Sequence, residues 1–178
     1  MRPDDWQRIR ALRLEALHDP MAPVAFLESI ETATARPDEE WRTRASDAAA
    51  GEGYAQFLAV RHDELIGSLA VIVRRAGAPD YFERIPEVDL PTVVGVYVSP
   101  SGRGLGVIDA LLAAAVDFAR ARGDQQLTLD VHESNLPAIK AYERAGFEHT
   151  SVFEGESGRE LGMVKGVVAE GSRKAFGS

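Results

Sequence analysis

Residues 93–107 read Val-Val-Gly-Val-Tyr-Val-Ser-Pro-Ser-Gly-Arg-Gly-Leu-Gly-Val. A β-branched run, Val93 to Val98, is stopped by Ser99-Pro100 and passes through the glycine-rich turn Ser101 to Gly106. Beyond the turn, Ile108, Leu111, Leu112, Ala115, Val116 and Ala119 recur at the spacing of one buried helical face. Glycines let backbone N–H groups approach a ligand closely, and a helix start offers unpaired N–H groups and a dipole that favours phosphate. The junction therefore reads as a seat for an anionic, pyrophosphate-bearing ligand. A tight connection without a ligand is the other reading of the turn alone.

Working outward, Leu127, Leu129 and Val131 alternate with Thr128, Asp130 and His132, which makes a strand with one apolar and one polar face. A helix follows from about Leu136 to Ala145, with Gly146 at its stop position. His149 to Phe153 and Glu160 to Val168 flank a Gly155 to Gly158 turn as a closing hairpin. Upstream, Pro3 and Asp4 start a helix carrying Trp6, Ile9 and Leu12, and Pro20 stops it. Phe26, Leu27 and Ile30 mark an apolar helical turn over a pocket within residues 21–36. Pro37, with Asp38 to Glu40, opens a helix to about Ala49. Tyr54 to Val60 and Leu65 to Val73 form an antiparallel hairpin, and Arg75 to Pro91, broken by Gly77, Pro79 and Pro86, is a loop long enough to have a function. This order gives an α/β fold: one mixed, mostly antiparallel twisted sheet of about six strands with helices on both faces.

The chain of 178 residues suits one domain, expected over residues 1–168, with a loose tail at 169–178. The absence of cysteine removes disulfides, thiolate nucleophiles and Cys-ligated zinc, and fits a reducing cytoplasm, the expected location. A net charge of −8, with only short basic clusters such as Arg42/Arg44, Arg74/Arg75 and Arg120/Arg122, argues against nucleic acid as a partner. No apolar run approaches membrane-spanning length, so no membrane partner is expected. His18, His62, His132 and His149 have no metal-like spacing, and no metal is expected. A GxSxG elbow is missing, since Gly155-Glu156-Ser157-Gly158-Arg159 lacks the final glycine, and Val107 follows Gly106 where a phosphotransferase would need Lys.

Strand Val93 to Val98, the turn Arg103-Gly104-Leu105-Gly106, the helix after it, and then Asn135, Ala138, Tyr142, Gly146 and Phe147 together resemble the acetyl-CoA-binding core of the GNAT superfamily of acyl-CoA N-acyltransferases. The resemblance implies a cofactor cleft splayed between Val93 to Val98 and Leu127 to Val131. It implies that Arg103, Gly104, Leu105, Gly106 and Val107 present N–H groups to the CoA pyrophosphate, with a charge-assisted contact from Arg103. It further implies that the main chain of Val96 and Val98 pairs with pantetheine, that Asn135 bonds the pantetheine arm, and that Tyr142 is the general acid. Positions 135 and 142 lie two helical turns apart on one face, roughly 10 Å along the axis, so one extended arm reaches both. Helix capping by Asn135 and core filling by Tyr142 are the plainer readings of those residues taken singly. Two departures stand out: Ser101 occupies a position usually held by Gln or Arg, and the chain enters its first helix almost directly, so the sheet lacks one edge strand or the start is shortened.

The activity implied is acetyl transfer from acetyl-CoA to a primary amine, a small molecule foremost, by direct attack in a ternary complex. An alkylamine with a pKa of about 10.4 must lose a proton first, so a base is needed. Glu28, Asp89, Asp130 and His132 are candidates, with Asp130 acting through water as the favoured one, and Tyr97 is placed to line the acceptor pocket. A non-catalytic acyl-CoA-binding module and acetylation of protein N-termini or lysines are the alternatives, and the reading leaves room for a homodimer. An open groove would suit a peptide; residues 21–36 and 75–91 folded over the cleft would suit a small molecule.

Overall fold

The computed structural model describes residues 2–51, 53–155 and 157–167, so the tail expected at 169–178 lies outside the described residues. Helices α1 (Trp6–Leu17), α2 (Ala22–Ala25), α3 (Ile30–Ala35) and α4 (Asp38–Ala50) precede the hairpin β1 (Tyr54–Arg61) and β2 (Glu64–Arg74). Then follow β3 (Leu90–Val98), α5 (Val107–Arg122), β4 (Gln126–His132), α6 (Leu136–Arg144), β5 (Glu148–Gly155) and β6 (Gly158–Gly166). Among the described residues no strand precedes α1, and none of the helices is long and apolar enough to cross a membrane.

The strands form one sheet in the order β1-β2-β3-β4-β6-β5, and only the central pair, β3 with β4, is parallel. The mixed, mostly antiparallel sheet of six strands read from the sequence is therefore the one observed. Each connection has a local cause. Pro37 precedes α4, three acidic residues occupy its first turn, and Gly51 at φ 76° ends it in the left-handed region. His62 and Asp63, both at positive φ, make the two-residue turn whose twist suits the β1–β2 hairpin.

The decisive irregularity is in β3. Ser68 pairs with Tyr97 but Ala70 pairs with Val94, so one strand spends an extra residue at Gly95, which sits at φ 60°. A bulge bends its strand and increases the local twist. Parallel pairing with β4 is accordingly limited to Thr92 with Thr128 and Val93 with Leu129, after which the strands diverge.

One face of the sheet, with Val71, Val93, Leu129 and Met163, packs against Leu111, Leu112, Ala115 and Ala119 of α5 and Ile139 and Tyr142 of α6. Burying each large aliphatic side chain there contributes about 1.5–3 kcal/mol. The other face is covered by α1, whose Leu12 and Ala16 pack on Tyr97, and by α4, which buries Trp41, Ala45 and Ala48. Helices lie on both faces, and the bent β3 is left between them with a free edge.

Candidate active site

That free edge opens into a cleft of ≈ 1810 Å³. At one end lies the glycine turn. Gly104 and Gly106 take φ of 75° and 73°, and a Cβ on either would point into open space. Among the described residues the backbone N–H groups of Gly104, Gly106, Val107 and Ile108 have no backbone acceptor, the first α5 bond being Ala110 to the Gly106 carbonyl. These donors converge where the α5 dipole favours an anion. Gly104, Gly106, Val107 and Arg103 line the cleft, whereas the Leu105 side chain is exposed outside it. Arg103 turns its guanidinium to Asp19 (2.5 Å) and the Val98 carbonyl (3.2 Å), so its side-chain charge is engaged beside the turn.

Ser99 donates its N–H to the Ile66 carbonyl of β2 at 3.0 Å. Alternation along a strand then turns the N–H and C=O groups of Val98 and Val96 the opposite way, into the gap left by β4. Across that gap, Asn135 caps α6, its Oδ1 accepting from the Ala138 N–H at 3.4 Å. Its amide NH₂ makes no bond among the described residues and lines the cleft, so Asn135 is both cap and available donor. Tyr142 follows two turns later. The α6 terminus is closed by bonds from Gly146 to Glu143 and from Phe147 to Tyr142, both 3.0 Å, which fix Tyr142 against the Phe147 ring. Burial raises the Tyr142 phenol pKa, keeping the proton on oxygen.

The sequence candidates for a base fare differently. Asp130 has Oδ1 held by Arg84 Nη1 (3.1 Å) and Oδ2 by Arg84 Nη2 (2.5 Å), with Arg74 at 3.7 Å. Both of its oxygens are taken by cations, so the structure makes it an anchor for Arg84. His132 accepts the Ser134 N–H at Nδ1 (3.2 Å) and faces the Ser157 carbonyl with Nε2 (3.0 Å), an arrangement that assigns its proton to Nε2 and occupies both nitrogens. Glu28 is bound by Arg13 and Arg36. Asp89 lies outside the cleft, bonded to Arg75 (2.6 Å) and the Ala76 N–H (2.9 Å). Tyr97 lines the cleft but is buried under α1 and donates to Glu15 at 3.0 Å.

The residue that the sequence reading missed is Glu160. Register pairs it with His132, which sets it on the Asp130 face of the sheet at the cleft floor. It is buried, has no hydrogen bond or ion pair among the described residues, and its carboxyl is pushed above the usual range. Burial is the largest cause; Asp130 adds to it, while His132 and Arg84 pull the other way. A carboxylate tuned upward and left free is what proton removal near neutral pH requires. Its only sequence signal was a lone acid at the head of an apolar strand.

Two segments roof the cleft. Residues from Met21 to Arg36 line it on one side, and Ala78 to Arg84 line it on the other. Asp80 organises the second segment, accepting the N–H groups of Phe82 and Arg84 (both 2.9 Å) and the side chains of Arg74 (2.6 Å) and Arg84 (2.9 Å). Burial opposes its ionisation, but those bonds outweigh it and hold the carboxyl below the usual range. The Arg84 guanidinium also lies 4.1 Å from the Phe153 ring centroid, tying the loop to β5.

Comparison with known proteins gives the family and the fold. The model of the acetyltransferase (GNAT) family matches residues 12–147. A streptothricin acetyltransferase of Streptomyces lavendulae is 36% identical over 85 residues, a match covering 48% of this chain and 41% of that protein. The chain thus spans less than half the length of that relative. An aminoglycoside N(6')-acetyltransferase type 1 of Stenotrophomonas maltophilia is 35% identical over 115 residues, 64% of this chain and 70% of that protein. Among solved structures, a phosphinothricin acetyltransferase of Sinorhizobium meliloti, in complex with acetyl-CoA, superposes with a TM-score of 0.70 at 21% identity, over 93% of this chain and 85% of that one.

Proposed function

This chain belongs to the acetyltransferase (GNAT) family, and from that premise we propose that it moves the acetyl group of acetyl-CoA to a primary amine of a small molecule. The observation that carries the reading is the gap between β3 and β4, open only beyond Val93, which leads from the unpaired N–H groups of the glycine turn to Asn135 and Tyr142. These residues fit the cofactor: Gly104, Gly106 and Val107 donate to the pyrophosphate, with Arg103 and Leu105 completing the turn. Val96 and Val98 pair with the pantetheine amides through their main chain, and Asn135 donates its side-chain amide to the same arm. Acetyl-CoA supplies the acetyl group.

Glu160 removes the proton that keeps the amine from attacking, a role that its raised carboxyl suits better than the ion-paired Asp130. Asp130 instead holds Arg84 and the roofing loop. A β3 backbone N–H near Val98 that faces the gap stabilises the oxyanion that forms on attack, and Tyr142 gives its proton to the leaving thiolate and regains one from the nitrogen as the amide forms. Transfer is direct, since the chain has no cysteine to carry the acetyl group. The presence of residues 21–36 and 78–84 along the cleft favours a small acceptor over a polypeptide. The test is release of CoA thiol from acetyl-CoA in the presence of a panel of amines. Tyr142→Phe should lower turnover about 10²-fold or more while leaving acetyl-CoA binding intact; no release with any amine, together with no thermal shift by acetyl-CoA, would overturn the reading.

A further inference from the structure

The acceptor end of the cleft carries an uneven charge. Arg13 of α1, Arg36 before α4, Arg44 of α4 and Tyr54 of β1 all line it. Glu28 sits between two of these cations: Arg13 Nε is 3.0 Å from its Oε2, and Arg36 bonds its Oε1. The next acid, Glu40, is 60% exposed and 3.5 Å from Arg36 Nε, at the rim where solvent screens it. Asp47 acts on Tyr54 from the exposed side of α4. Arg44 forms no ion pair or hydrogen bond among the described residues. Arg13 and Arg36 therefore share Glu28, and Arg44 adds a third guanidinium to the same lining. Burial lowers the Arg13 pKa, Glu28 opposes that, and the like charges of Arg36 and Arg44 lower it again.

The wall also has donors without acceptors. The Arg36 side chain is 8% exposed and its Nη1 has no partner among the described residues; Trp41, stacked 4.7 Å from the Arg36 guanidinium, is 4% exposed and its Nε1 has none among them either. Guanidinium and indole N–H groups only donate. A buried donor left unmet carries a desolvation cost, and a carboxylate, with two oxygens and several lone pairs, is the group that meets several donors at once. A cationic group at the same wall would meet like charge.

We propose that this wall binds a carboxylate of the acceptor, so that the substrate is an amino acid whose reacting amine lies far enough from its carboxylate, as a side-chain amine does, to reach Glu160 and the β3–β4 gap while the carboxylate meets Arg44, Arg36 and Arg13. The inference rests on the acetyl-transfer reading above and names its substrate class. It sets this chain apart from a polycation acetylase.

The experiment uses the whole chain, acetyl-CoA and the proteinogenic L-amino acids, each as free acid and as carboxamide, with spermidine and an aminoglycoside as polycationic arms. The best free acid should exceed its carboxamide by roughly tenfold to a hundredfold in kcat/KM, the worth of one charge-assisted bond. Arg44→Gln, at an exposed helix position, should erase most of that ratio while the thermal shift by acetyl-CoA stays unchanged. Equal use of acid and amide, or preference for either polycation, overturns the carboxylate site and leaves acetyl transfer standing. Absence of any acetyl-CoA shift in the unaltered chain overturns the acetyl-transfer reading and this inference with it.

Discussion

The two ends of the cleft are made from different materials. The turn end is backbone: N–H groups of Gly104, Gly106 and Val107, set by left-handed glycines and a helix start within one short stretch. The acceptor end is side chain: Arg13, Glu28, Arg36, Trp41, Arg44 and Tyr54, brought from α1, the roofing segment, α4 and β1. A backbone cradle suits a ligand that does not change, because substitution of neighbouring side chains leaves the donors in place. A side-chain wall suits the part that sets specificity, since each member can be exchanged without rebuilding the chain path.

The contrast breaks most sharply at Gly104. Gly104→Glu places strain, bulk and negative charge beside the donors and should abolish the rise in Tm produced by acetyl-CoA. Gly104→Ala, which carries the strain without the charge, should keep part of it. An undiminished shift in the glutamate variant would mean that the cofactor is not held by this turn.

Between the two ends, Glu160→Gln should lower kcat/KM about 10²-fold or more and remove the acid limb of its pH profile. The same change should raise Tm at neutral pH. The folded-state pKa of Glu160 lies above its unfolded value, so the penalty for its ionisation accrues as pH rises from the unfolded value of about 4.3 and is complete above the folded pKa. The stability difference between the two proteins should therefore vanish as pH falls below about 4. Full activity in the glutamine variant would return the base role to another group.

The smallest effect is expected in the roofing loop. Asp80→Asn weakens the bonds from Arg74 and Arg84 and should cost about 1–3 kcal/mol, read as a Tm lower by roughly 3–8 °C, with a higher KM for the amine. Asp80 has its folded pKa depressed, so its contribution is present above the unfolded carboxylate value of about 3.9 and is lost as pH falls through the folded value. The variant should accordingly show a shallower acid denaturation limb than the unaltered chain. An unchanged limb would show that Asp80 is not the group that ties down residues 78–84.

Much of the turn end was legible in the sequence. A strand run, Gly104 and Gly106, and the apolar stripe of α5 are all local, and Asn135 with Tyr142 fall on one helical face by spacing alone. The β3 bulge was not legible, although Gly95 marks it, because a glycine in a strand run does not state which partner residue it faces. Asp130 lay on the polar face of its strand as read, but the reading could not see Arg84 arriving from a loop to take both its oxygens. Arg44 read only as part of a short basic cluster with Arg42. Only the packing of α4 beside β1 turns it toward Tyr54 and the cleft.

By itself the sequence determined the strand, the turn and the helix that make the turn end of the cleft, because positive φ at glycine and unpaired N–H groups at a helix start are properties of neighbouring residues. Tertiary structure alone decided which carboxylate is free and which is neutralised, and where the arginines gather. Those outcomes depend on the register of β4 against β6 and on loops closing across the sheet, so they are fixed by contacts between distant segments rather than by any spacing along the chain.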